Sequence, residues 1–206
     1  KRSRNVRFDY TKHRRTGLSI TIVTAVLLVS SAANAEVAHG HSSAPVKFVE
    51  YGSLTWVYCV LFLRVVLPLV QSRNIVAGVF RFIYRDFPTV SEALRGAIAA
   101  RCAGPEHYYE MLETLYASVG TWSRARDIDS ELIRHATSLS IDAEAFQACL
   151  EDPGQAERIR KEQQRASSEY GVDGTPTFII NGEIVEGIRP IDEMELLIAA
   201  AMRGVP

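Results

Sequence analysis

VKFVEYGSLTWVYC, residues 46–59, is the stretch from which the rest of the chain can be read. Val46, Phe48, Val49 and Tyr51 form a short apolar run of strand type, with one acid, Glu50, inside it. Gly52 and Ser53 break the run, Thr55 is of a type that caps helices, and almost everything from Trp56 onward is apolar. A strand that stops and feeds a helix aims backbone N–H groups and a positive dipole end at whatever sits there. Here that is Trp56-Val57-Tyr58-Cys59. The second informative stretch is GVDGTPTFIINGEIVEG, residues 171–187, where Thr175-Pro176 opens an apolar strand pair. Its Asn181-Gly182 is a strong hairpin signal between Thr177–Ile180 and Glu183–Glu186.

The chain has 206 residues, enough for one ordinary domain with a substantial core. Lys and Arg (23) nearly balance Asp and Glu (24), but residues 1–15 alone hold seven bases against Asp9. Leu18–Ala32 is apolar and Ala33-Asn34-Ala35 has the A-x-A form, so 1–35 reads as a secretory signal peptide. An uncleaved membrane anchor is the alternative. Arg14-Arg15 is a weak hint of twin-arginine export. Because Lys1 opens the chain, the start of the reading frame is expected elsewhere. Without residues 1–35 the remainder holds 16 bases and 23 acids, a net of −7, which argues against binding nucleic acid. Three cysteines remain, Cys59, Cys102 and Cys149, an odd number in a chain bound for an oxidising compartment.

Glu36–Pro45 reads as a flexible leader, in which His39 and His41 lack a third ligand for a metal. Trp56–Val70 reads as a buried helix that Pro68 kinks or stops, too short and too charged at Arg64 to span a membrane. Val79–Tyr84 alternates as a second strand. Ser91 is placed to cap a helix, Pro105 to open another, and Ser130 and Asp142 to cap two more, with Trp122 in a basic loop between them. Pro153–Tyr170 reads as a charged amphipathic helix and Asp192–Met202 as a closing one. The order is strand–helix–strand, a block of helices, then helix–strand–strand–helix.

These two stretches and this order resemble the DsbA-like family of periplasmic disulfide oxidoreductases. The resemblance implies an α/β thioredoxin-like fold over 46–206, with a helical insertion at about 90–151 between the two halves of the sheet. It implies thiol–disulfide exchange on unfolded or cysteine-containing exported proteins in the periplasm, a membrane redox partner, and no cofactor or metal. The family's helix opens with Cys-x-x-Cys, whose first thiol attacks and whose second resolves. In WVYC the first position is Trp56 and only Cys59, at the resolving position, remains. Cys59 is therefore either a monothiol that still forms mixed disulfides or an inert buried cysteine. A single base separates Trp from Cys codons, so Trp56 also fits a decayed or misread ancestor. The two-cysteine cycle is expected to be impaired, and a non-redox peptide-binding or chaperone-like module is the alternative. Glu50 matches the family's buried acid that handles protons for the cysteines, the other reading being a strand-edge glutamate in solvent. Thr175 and Pro176 match its cis-proline, beside which extended substrate pairs. Cys102 and Cys149 match a disulfide found in some relatives, the other reading being two buried thiols.

Overall fold

Alternation of side chains along short segments builds a five-stranded sheet. The computed structural model of the chain describes residues 37–74 and 78–204. The expected signal peptide and Glu36 lie outside the described residues. The leader is not wholly loose: β1, Ala38–His39, pairs antiparallel with Ile83 and Phe82. β2 is Val46–Gly52 and β3 is Phe80–Asp86, parallel to it with Glu50 opposite Tyr84. β4, Thr177–Ile180, runs antiparallel on the other side of β2 with Phe178 opposite Glu50, and β5, Glu183–Glu186, follows the Asn181-Gly182 turn. The order across the sheet is β1-β3-β2-β4-β5. Glu50 thus stands in the central strand with partners on both sides, which removes the strand-edge reading.

The helix expected over Trp56–Val70 differs in three respects. Its N-cap is Trp56, with no side-chain capping bond, so Thr55 does not cap it. It consists of α1 (Val57–Leu61), a π-helical turn (Phe62–Val66) and α2 (Leu67–Asn74), so Pro68 does not end it. Leu67 N–H reaches back five residues to Phe62 O, so the ladder is already displaced where Pro68 enters. Nor is it buried all round: Cys59, Phe62, Val66 and Val70 face the core, while Val57, Leu61, Val65 and Leu69 face outward.

The insertion comprises α3 (Ser91–Cys102), α4 (Gly104–Ala117), α5 (Val119–Trp122), α6 (Ile128–Ser138) and α7 (Ala143–Glu151). Trp122, expected in a loop, closes α5 and is fully buried, its Nε1 donating to Leu115 O at 2.7 Å. Gly96 makes the room: a Cβ there would stand 2.7 Å from the indole. Ser130 does not cap α6; Asp127 does, its carboxylate accepting the Ser130 N–H. Ser91 likewise lies inside α3, whose N-cap is Val90. Asp142 caps α7 by accepting from Ala145 N–H. α8, Pro153–Tyr170, begins at a proline and ends at Gly171 in the left-handed region, and α9, Ile191–Arg203, closes the unit.

Aromatic rings fill the core face of the sheet, with Phe62 of the π turn 4.5 Å from Phe178 and Phe48 5.1 Å from Phe80, centroid to centroid. A smaller cluster, Tyr51, Phe87, Ala166 and Val172, lies under α8. Among the described residues no helix is long and apolar enough to cross a membrane.

Candidate functional site

β2 ends at Gly52 because a side chain there has no room: a Cβ would come within 2.5 Å of the Tyr84 ring. The chain turns through Ser53-Leu54-Thr55, closed by Trp56 N–H donating to Ser53 O at 3.0 Å, and enters α1. The extended φ of −86° and ψ of 124° at Trp56 hold its indole out of the helix, and it is 44% exposed. The ring meets Tyr58 edge-on, with centroids 5.9 Å apart. One turn in, Cys59 points the other way and is 0% exposed. Its sulfur accepts the Ser53 N–H at 3.4 Å and also bonds the Thr175 side chain. Burial pushes the thiol up to about 12, with the charge of Glu50 adding to the effect.

Glu50 lies nearby, also fully buried, and neither of its carboxylate oxygens has a hydrogen-bond partner among the described residues. Desolvation raises its pKa well above the ordinary 4.5, which favours the neutral acid over the carboxylate. Two phenols complete the buried polar group. Tyr84, opposite Glu50 on β3, and Tyr116 of α4 hydrogen-bond through their hydroxyls at 2.8 Å, and both sense Glu50 and Cys59 electrostatically. Sequence reasoning missed these tyrosines. The alternation of β3 puts Tyr84 on a defined face, but only the register to β2 brings it beside Glu50.

The Thr175–Pro176 peptide is cis and leads directly into β4. Fold closure therefore gathers Trp56, Cys59, Glu50 and Thr175-Pro176 from two remote stretches of sequence. Cys102 and Cys149 do not join them. They are bridged, Cα to Cα 5.7 Å, and tie the end of α3 to α7, leaving Cys59 as the free cysteine.

The sequence of residues 32–200 matches the family model described as Thioredoxin. The chain belongs to the thioredoxin family. Within the fold of that family it is built like the DsbA proteins. It superposes on α-DsbA1 of Wolbachia pipientis with a TM-score of 0.76 at 24% identity, covering 84% of this chain and 93% of that one. Against oxidised BdbD of Bacillus subtilis the TM-score is 0.74 at 20% identity, over 82% and 94%. Among curated proteins, a Na(+)/H(+) antiporter NhaA 1 of Salinispora arenicola is 30% identical over 169 residues, 80% of this chain but 24% of the antiporter. The chain thus spans about a quarter of the length of that relative. In this thioredoxin-family chain the site offers a buried carboxyl, a buried thiol and, at the helix start, an exposed tryptophan. Thiol exchange needs a thiolate within reach of a disulfide. The Cys59 sulfur has no exposed surface, and burial pushes its thiol up to about 12.

Proposed function

We propose that this chain is an exported relative of the protein thiol–disulfide oxidoreductases that keeps their docking surface for cysteine-containing proteins and does not run the two-cysteine cycle. One observation carries the reading: the residue at the helix start is an exposed indole, Trp56, and the remaining sulfur, Cys59, is fully buried. Trp56 can hold an extended segment by stacking but cannot take electrons from it. The expected signal peptide at 1–35 and the Cys102–Cys149 bridge support placement in the periplasm, since disulfides persist outside the reducing cytosol.

The test is repair. Trp56→Cys sets a thiol at the helix start, where the dipole favours the thiolate, with Cys59 one turn behind it to resolve. Wild type should refold a reduced, scrambled substrate at background rate, and Trp56→Cys clearly above it. Equal activity in both would mean that Cys59 suffices alone. Inactivity in both would mean that the redox site has changed beyond residue 56.

A second reading, a non-redox peptide-binding or chaperone-like module at Thr175-Pro176, is favoured by the outer face of α1–α2. Val57, Leu61, Val65 and Leu69 recur every fourth residue, all between 43% and 61% exposed, in line with Trp56 and Tyr58. An apolar stripe of this kind on a surface marks an interaction site.

A further inference from the structure

A cleft of about 140 Å³ opens where the ends of β2 and β3 meet α8. Tyr51, which lines it, is the neighbour of Glu50 on an alternating strand and points to the opposite face of the sheet from Glu50.

Its charges are layered by depth. Deepest is Asp86, whose side chain is 1% exposed. Its Oδ2 accepts from Arg101 Nε at 2.7 Å, while Oδ1 is buried with no hydrogen-bond partner among the described residues. An unmatched carboxylate oxygen is costly inside a protein and calls for a donor. Glu162 comes next, 29% exposed and held at 2.7 Å by the same Arg101, so two acids share one guanidinium. At the mouth stands Arg165, 68% exposed, whose 2.9 Å pair with Glu169 is a surface contact of small worth. Arg85 also lines the cleft. Tyr51 and Tyr170 flank the opening, centroids 6.5 Å apart. Negative charge lies within, positive charge without, and aromatic faces stand between.

We propose that this cleft binds the zwitterionic head of an α-amino acid, its ammonium donating to Asp86 Oδ1 and Glu162 and its carboxylate meeting Arg165. Aromatic walls suit an ammonium, and the guanidinium fork suits a carboxylate. A bare cation would be repelled by Arg165 at the entrance, and a bare anion would leave the deep oxygen unmatched. Burial already pushes the Asp86 carboxyl above its ordinary value, against the pull of Arg101, and an arriving ammonium would draw it back.

The experiment is a backbone-amide NMR titration of the full chain with L-alanine, methylamine and acetate at matched ionic strength. L-Alanine should give saturable shifts at Tyr51, Asp86 and Ala166, with methylamine and acetate about tenfold weaker or worse. Arg165→Ala, at an exposed position, should keep the melting temperature and weaken L-alanine by about tenfold. Asp86→Asn should abolish binding; should that variant fail to fold, Arg165→Ala still decides. No saturable shift with L-alanine, equal binding of methylamine or of acetate, or an Arg165→Ala variant that binds like wild type would each overturn the proposal.

Discussion

Two residues set the chemistry, and both are governed by burial. The Cys59 thiol, pushed up to about 12, is almost wholly protonated at neutral pH. Alkylation by iodoacetamide in the native state should therefore climb about tenfold per pH unit through the alkaline range, without a plateau. In urea the same cysteine should react far faster, with its midpoint near the ordinary thiol value of 9.0. A native-state plateau near that value would mean that the sulfur is solvated. Glu50 provides a thermodynamic test. The unfolded chain loses this proton near 4.5, while the folded chain keeps it to higher pH. Between the two, the folded state binds more protons, so stability is greatest below 4.5 and falls as pH rises toward the folded pKa. Glu50→Gln has no proton to lose. Its urea midpoint should stay level where that of wild type declines, exceed it at neutral pH and converge with it in acid. A wild type that gained on Glu50→Gln as pH rose would mean an ionised, paired carboxylate.

At the scale of elements, the outer face of α1–α2 is the feature to challenge. Leu61→Lys with Val65→Lys changes exposed side chains that contribute little to the core, so the melting temperature should move by no more than the equivalent of about 0.5 kcal/mol each. Capture of an unfolded, carboxymethylated polypeptide, measured by suppression of its aggregation, should fall sharply. Unchanged suppression would take the stripe out of the docking surface. The inner and outer faces of this segment also mark the limit of what its sequence conveys. Both are apolar, so composition reads as burial all round, and only the position of the sheet decides which face is covered. Some elements with local signals were legible in full, although the cap signals at Thr55, Ser91 and Ser130 were not. The hairpin at Asn181-Gly182 has the expected strands, and α8 runs from Pro153 to Tyr170 as its proline and glycine dictate. The other misreadings arise where a distant partner decides. Trp122 is buried because Gly96, 26 positions away in the printed sequence, leaves a gap for its ring. β1 exists because β3 offers an open edge. Glu50 and Cys59 could be singled out from sequence, but their depth, and the phenols of Tyr84 and Tyr116 beside them, come from closure of the sheet.

Across the whole molecule, the insertion is fastened to itself by two devices of different kind. Arg95 of α3 donates to both oxygens of Asp129 in α6, at 2.5 and 2.6 Å, and to Leu150 O in α7 at 2.5 Å. The Cys102–Cys149 bridge joins α3 to α7 again, at a sequence separation of 47. The first device acts in the folded state and the second mainly on the unfolded chain, whose loop it closes in advance. A loop of that length is worth about 4 kcal/mol in the chain-entropy account. Because Arg95 still holds the helices in place, removing the bridge should lower stability without dismantling the fold. Cys102→Ala with Cys149→Ala should melt on the order of 10 °C below the oxidised wild type and keep its circular dichroism in the cold. Wild type in excess dithiothreitol should match that variant, since Cys59 contributes no bridge of its own. If reductant leaves the melting temperature unmoved, the covalent link is redundant with Arg95 and with the packing of α3 on α7. The stability of the insertion would then rest on side-chain contacts alone.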